Sequence, residues 1–284
     1  MTKDLLGKDY YSLESAKVYW SVSQVKRFKE CEARALAELN DEWQDKRDKT
    51  VLLVGNYVHS AFESKEAHET FIEQNKESIF KKNGSLYAPF ETAENMISAL
   101  ATDKNFMALY QGEKEAAVTG EIAGVEFKGK IDCLNVEHGY FVDIKTTKGP
   151  IDDEVWVKDK DGNNYKARWF EAYGYILQMA VYKTMLEAKY NKPFEPIIYA
   201  VTKESPSDTR AIRIQNIDAI QDELNELAKI IKRLDDVKRG RAQAKPCGHC
   251  EYCREKNSQN ELRFIDMNRL KELRKKKTNS KRIS

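Results

Sequence analysis

Two short segments carry the residues best suited to chemistry. Gly129-Lys130-Ile131-Asp132 and Val142-Asp143-Ile144-Lys145-Thr146-Thr147 hold two carboxylates and a lysine close together. Lys128 to Val136 and Tyr140 to Thr146 are rich in β-branched and aromatic residues, and Glu137-His138-Gly139 between them reads as a turn. Side chains alternate faces along a strand. Asp143 and Lys145 therefore share one face, and Val142 and Ile144 the other. A two-residue turn would set Asp132 beside Asp143 and Lys145 and gather Ile131, Cys133, Val142 and Ile144 on a buried face. The two carboxylates, with the backbone carbonyl of Ile144, are hard oxygen donors suited to Mg²⁺ or Mn²⁺. Such an ion neutralises phosphate charge and acidifies water. A lysine beside it can orient or help deprotonate that water and stabilise a pentavalent transition state. The pattern points to metal-assisted hydrolysis of a phosphodiester. An Asp-x-Lys tripeptide alone is weak evidence in a chain with 33% charged residues, because most such tripeptides are solvated strand ends. The hairpin context gives it weight.

The elements around the hairpin supply further candidates. Ser21 opens a helix, with Gln24 at capping-box spacing, whose body runs through Phe28, Cys31, Ala35 and Leu39. Thr50 to about Phe71 reads as a second helix bearing Gly55 and His59, and Glu91 to Tyr110 as a third. His59 is either a metal or phosphate ligand or an ordinary packing histidine; His68, His138 and His249 take the ordinary reading, although His249 could compete for a metal. Glu115, at the start of the strand before Asp132, is a further acidic candidate with Glu113 and Glu121 as rivals, or a solvated strand carboxylate. Lys148 to Lys166 reads as a loop near the site. Trp169 to Tyr190 reads as a long helix in which Gln178 and Tyr182 lie one turn apart. The Gln178 amide could bind a phosphate oxygen or orient Lys145, and the Tyr182 hydroxyl could contact a DNA backbone; plain helix packing is the alternative. Pro196 to Thr202 and Ala211 to Ile214 are expected strands, and Ile217 to Arg239 a helix.

Cys247, Cys250 and Cys253 have C-x2-C-x2-C spacing, and Cys31 is the natural distant fourth. Three close cysteines plus a remote one is a common way to hold a [4Fe–4S] cluster. Structural zinc more often uses two separated pairs, and remains the alternative. Cys133 is expected to be structural.

Asp132 with Asp143-Ile144-Lys145 resembles the PD-(D/E)xK nuclease superfamily, and within it the phage exonucleases of the RecE and RecB-like branch. Gly55-x-x-x-His59 and Gln178-x-x-x-Tyr182 resemble two further family elements, and the four cysteines resemble those of iron–sulfur members. The likeness spans roughly residues 15 to 256, with Ile131 where the family name has proline. It implies an α/β fold, a central mixed β-sheet flanked by helices. It also implies a Mg²⁺- or Mn²⁺-dependent 5′-to-3′ exonuclease on linear duplex DNA, phage- or prophage-encoded and cytoplasmic. Such an enzyme would make tails for a single-strand annealing protein and could assemble as a ring-shaped homo-oligomer. The alternatives are an endonuclease or single-strand nuclease of the same superfamily, and a non-catalytic DNA-binding scaffold built on the cysteines.

With 284 residues and a formal net charge of +2, the chain can bury a large core but is not strongly basic, so any DNA grip must come from local patches. No apolar run is long enough to span a membrane. The expected organisation is one domain over residues 1–256 and a charged tail over 257–284. Eight Lys or Arg and one acid lie between Arg269 and Ser284, and such a run can grip DNA or simply be solvated.

Overall fold

The computed structural model describes residues 4–158 and 163–258. The basic run from Arg269 onward lies outside the described residues. The described residues form seven strands: β1 (Glu113–Ile122), β2 (Val125–Asn135), β3 (Tyr140–Thr147), β4 (Glu154–Lys158), β5 (Asn164–Arg168), β6 (Glu195–Thr202) and β7 (Thr209–Arg213). Five form a mixed sheet in the order β1-β2-β3-β6-β7. β3 and β6 run parallel and the other neighbours antiparallel. A parallel pair needs a crossover, and helix Tyr175–Tyr190 lies within that connection.

Helices cover both faces. Val22–Glu30, Glu32–Leu39, Tyr175–Tyr190 and Ile217–Lys238 bury one apolar layer that includes Phe28, Phe127, Phe141 and Met185. Thr50–Glu63, Ala88–Thr102 and Lys104–Leu109 bury the other, with Val58, Phe90, Met96, Val142 and Ile144. Strand β3 is thus covered on both faces, as expected of a strand in the parallel part of a sheet. Among the described residues no helix is long and apolar enough to cross a membrane.

Several expected helices break where a residue has another task. Cys31 (φ −164°, ψ 105°) ends one helix and caps the next, its sulfur accepting from the Arg34 N–H at 3.5 Å. Ser64 divides Thr50–Glu63 from Lys65–Gln74 and caps the latter through the Ala67 N–H. Asp103 caps Lys104–Leu109. Gly174, in the left-handed region at φ 65°, separates Trp169–Ala172 from Tyr175–Tyr190. Ser21 does cap Gln24 (3.3 Å), but the Gln24 side chain reaches Ala16 and Lys238 instead of closing a capping box. The segment expected as a loop over 148–166 contains the β4–β5 hairpin, because Val155, Trp156, Val157 and Tyr165 are strong strand formers.

The hairpin turn differs from the expected one. The last β2–β3 pair is Asn135 with Tyr140, so four residues make the connection. Cys133 pairs with Val142, and the same register extended by one sets Asp132 across from Asp143. Ile131, however, does not join Cys133, Val142 and Ile144. It packs with Leu134 and Phe141 on the opposite face, so the inward-facing parity of β2 changes at Asp132.

Candidate functional site

The sheet splits at Asp132, and the site lies in the split. The β2–β3 pairing ends at Cys133 and Val142. In place of a backbone partner, the amide of Ile144 donates to Asp132 Oδ2 at 2.7 Å. Beyond this point Trp20 docks against β2: its N–H donates to the Glu126 carbonyl (2.8 Å) and its carbonyl accepts from the Lys128 N–H (2.7 Å). The Tyr110 hydroxyl donates to the Asp132 carbonyl at 3.0 Å. A carboxylate is thereby fixed at the point where two strands part.

On the other side of β2, Glu115 stands opposite Asp132, between the pairs Lys114–Cys133 and Ala116–Ile131. Glu115 has φ 52°, a left-handed conformation that costs a residue with a side chain about 1–2 kcal/mol. Strain of this kind gathers at functional sites. His59 arrives from helix Thr50–Glu63, its Nδ1 3.2 Å from Asp132 Oδ2. The ligand atoms of His59, Glu115 and Asp132 lie within 4.8 Å of one another, close enough for one cation with bonds of about 2.1–2.4 Å to reach all three. Glu113 and Glu121, the rivals to Glu115, are exposed. Gly55 lies one turn before His59 with open space around it.

Asp143 is adjacent but differently employed. It is only 1% exposed. Its Oδ1 accepts from Gln178 Nε2 at 2.8 Å, and its Oδ2 forms an ion pair with Lys145 Nζ without a well-formed hydrogen bond. The Gln178 amide also donates to the Tyr182 hydroxyl at 3.3 Å. Tyr182 is 8% exposed and lies directly over Gly129, where an added Cβ would meet its ring at 2.5 Å. Its hydroxyl holds Gln178, and it also lines the cleft beside the carboxylates. The Ile144 amide joins the site through its bond to Asp132.

The charges pull the two aspartates apart. Burial raises the Asp132 carboxyl, but His59, Lys145 and the Ile144 amide outweigh it and hold it below the usual carboxylate range. Burial raises Asp143 and the neighbouring Asp132 charge adds to this, leaving it above that range despite Lys145. Burial also raises Glu115, against the opposing pull of Lys130, whose Nζ is 2.8 Å from Glu115 Oε2. For Lys145 burial lowers the value, yet Asp143 and Asp132 overcome it and hold it above the usual lysine range. His59 is likewise lowered by burial and raised overall by Asp132.

Several residues of the site carry no sequence signal. Lys26 donates to the Tyr173 carbonyl at 2.7 Å and stands 4.9 Å from the Tyr175 ring centre, the same separation as Lys145. Burial, and then the Lys145 charge, lower Lys26 to about 8. The Lys130 ammonium is 5.3 Å from the ring centre of Tyr11. A cleft of ≈ 610 Å³ lined by Lys26, Lys128, Lys130, Lys145, Tyr175 and Gln178, among others, opens beside the carboxylates. His68 bonds Ser60 (2.9 Å), and Cys133 accepts from Lys114 (3.2 Å), both in ordinary structural roles. At the other end of the N-terminal helices, Cys31, Cys247, Cys250 and Cys253 converge.

A mixed five-stranded sheet between two helical layers, with this Asp, Asp and Lys set at a split between strands, is the PDDEXK-like α/β nuclease fold. The chain belongs to the family described as a PDDEXK-like domain of unknown function (DUF3799), whose model matches residues 21–256. It is similar to a solved protein from Eubacterium rectale described as a "putative exonuclease". The two are 31% identical, the alignment covers 93% of this chain and 96% of that one, and the TM-score is 0.82. A second structure, of SSO0001, aligns with 74% of this chain and 95% of that one at 14% identity with a TM-score of 0.29, too low to carry an argument. No curated protein matches the chain.

Proposed function

We propose that this protein is a metal-dependent deoxyribonuclease. The observation that carries the reading is the convergence of the His59, Glu115 and Asp132 donor atoms within 4.8 Å, beside the Asp143–Lys145 pair. Two carboxylates and one imidazole fit Mg²⁺ or Mn²⁺. Asp143, whose Oδ2 has no well-formed hydrogen bond, and the Ile144 carbonyl are the further donors to be tested. A divalent cation held there supplies charge neutralisation at phosphate and a more acidic water.

The protein's own residues do the rest. The Lys145 ammonium supplies fixed positive charge where the phosphoryl oxygens gain negative charge. Its place beside Asp143 also lets it orient the attacking water or help deprotonate it. Gln178 fixes the rotamer of Asp143, and Tyr182 fixes Gln178, so the carboxylate is set before substrate arrives. Lys26, Lys128 and Lys130 make the adjoining cleft attractive to a phosphate backbone although the whole chain is nearly neutral.

In finer terms we read the enzyme as an exonuclease on linear duplex DNA. The name given to the Eubacterium rectale protein supports this. The family resemblance supports 5′-to-3′ polarity, ring assembly and delivery of single-stranded tails to a phage-type annealing protein. The test is digestion of linear and circular duplex DNA with Mg²⁺, Mn²⁺ or EDTA. Metal-dependent loss of the linear form alone is expected, with 5′-labelled ends released first. Cutting of circles would make the enzyme an endonuclease, and binding without cutting would make it a scaffold.

A further inference from the structure

The four cysteine sulfurs lie within 4.8 Å of one another. Cys31 Sγ is 3.7 Å from Cys253 Sγ, and Cys247 Sγ is 3.9 Å from Cys253 Sγ. These gaps are too long for disulfides, whose sulfurs are about 2.05 Å apart. They match the edge of a tetrahedron around one ion, which for metal–sulfur bonds of about 2.3 Å is roughly 3.8 Å. A cubane cluster does not fit them. Its four thiolates each cap a different iron, so their sulfurs stand apart by the iron–iron distance plus the outward splay of two bonds. That spacing is wider than any arrangement around a single ion.

We propose that Cys31, Cys247, Cys250 and Cys253 hold one Zn²⁺ in a tetrahedral, all-thiolate structural site, in place of the iron–sulfur cluster that the spacing suggested. The surroundings suit thiolates. The Arg34 N–H (3.5 Å) and Cys247 N–H (3.4 Å) point at Cys31 Sγ, and the Cys250 N–H (3.3 Å) at Cys247 Sγ. Such donors orient ligands and offset their charge. Gly248, at φ 81°, makes the tight turn between Cys247 and Cys250. His249 turns away and bonds its Nδ1 to the Cys247 carbonyl at 3.0 Å. Sulfur ligands in a closed tetrahedron select zinc over hard cations, and zinc binds such a site more strongly than Fe²⁺.

The consequence is mechanical. Cys31 joins helices Val22–Glu30 and Glu32–Leu39, and the other three cysteines precede or lie in helix Glu251–Ser258. The ion therefore fixes the helix that presents Lys26 to the cleft, with no redox role.

The test uses the full-length, untagged protein, purified anaerobically without chelators from cells supplied with both iron and zinc. Zinc, iron and acid-labile sulfide are measured per chain, and the zinc coordination by X-ray absorption. One zinc with four sulfurs at about 2.3 Å, and no sulfide, is expected. Cys31→Ser should lose the zinc and Cys133→Ser should retain it. Iron with matching sulfide, a single iron without sulfide, or zinc bound through nitrogen or oxygen would each overturn the proposal. If Cys31→Ser does not fold, the wild-type stoichiometry and coordination decide alone. None of these readouts depends on DNA cleavage, so this inference and the nuclease reading stand or fall separately.

Discussion

Gly129→Ala probes how the interior sets the candidate catalytic carboxylate. An added Cβ at Gly129 would lie 2.5 Å from Tyr182 Cε1, 2.8 Å from Cδ1 and 3.1 Å from Met185 Cε. Ordinary contact begins at 3.4 Å, so the ring edge must retreat by about 0.9 Å. It has little room, being 8% exposed with the Phe141 ring centre 6.3 Å away. Overpacking of this kind costs about 1–3 kcal/mol, or roughly 2–10 °C in Tm for a domain of this size. The displaced hydroxyl also releases the Gln178 amide, which holds Asp143. Misplacement by ~1 Å can cost up to about 100-fold in turnover. The assays are thermal unfolding and single-turnover cleavage of labelled duplex DNA. In a Tyr182→Leu background the ring is gone, so Gly129→Ala should cost little further in either assay, a strongly non-additive pair. Equal costs in both backgrounds, or wild-type stability and cleavage in Gly129→Ala alone, would refute the reasoning.

Other consequences can be checked on the same protein. Gly55→Ala should stabilise helix Thr50–Glu63 by about 0.5–1 kcal/mol, since nothing lies within 4 Å of the added methyl. It should nonetheless raise KM for DNA, because positions 55 and 59 share a helix face; an unchanged KM would show that substrate does not pass there. Lys26 has a folded value of about 8 against 10.5 for the free side chain, so the unfolded state binds more protons between those pH values and stability rises with pH across that window. Wild type should therefore gain on the order of 2–3 kcal/mol over Lys26→Met between pH 8 and 10.5, and parallel stability curves in calorimetry would contradict this. Glu115→Gln should weaken Mn²⁺ binding at least tenfold by isothermal titration while sparing the fold, and an unaltered affinity would remove Glu115 from the site.

The sheet-and-helix order, and the meeting of Asp132 with Asp143 and Lys145, were readable because period-two patterning sets register before any tertiary contact is known. The helix positions of His59 and Gln178 follow from periodicity in the same way. What escaped the sequence depends on distant contacts. The parity change of β2 and the left-handed Glu115 arise where the sheet splits, and neither leaves a mark in residue type. The break at Cys31 has no helix-ending signal, because it serves sulfurs more than two hundred positions away. Nothing in the residue types of Tyr10 and Trp20 announces their role, yet Trp20 bridges to β2 and Tyr10 is buried, docking against Lys128. The choice between one ion and a cluster rests on sulfur–sulfur distances, which spacing along the chain does not encode.

The most direct test of the central reading is single-turnover cleavage of end-labelled linear duplex DNA by wild type, Asp132→Asn, Asp143→Asn and Lys145→Ala. DNA affinity is measured alongside, with Mg²⁺ and with EDTA. Wild type should cut only with the metal. Each variant should bind DNA with near-normal affinity and cut at least a hundredfold more slowly. Cleavage near the wild-type rate in either aspartate variant, or cleavage undiminished by EDTA, would contradict it.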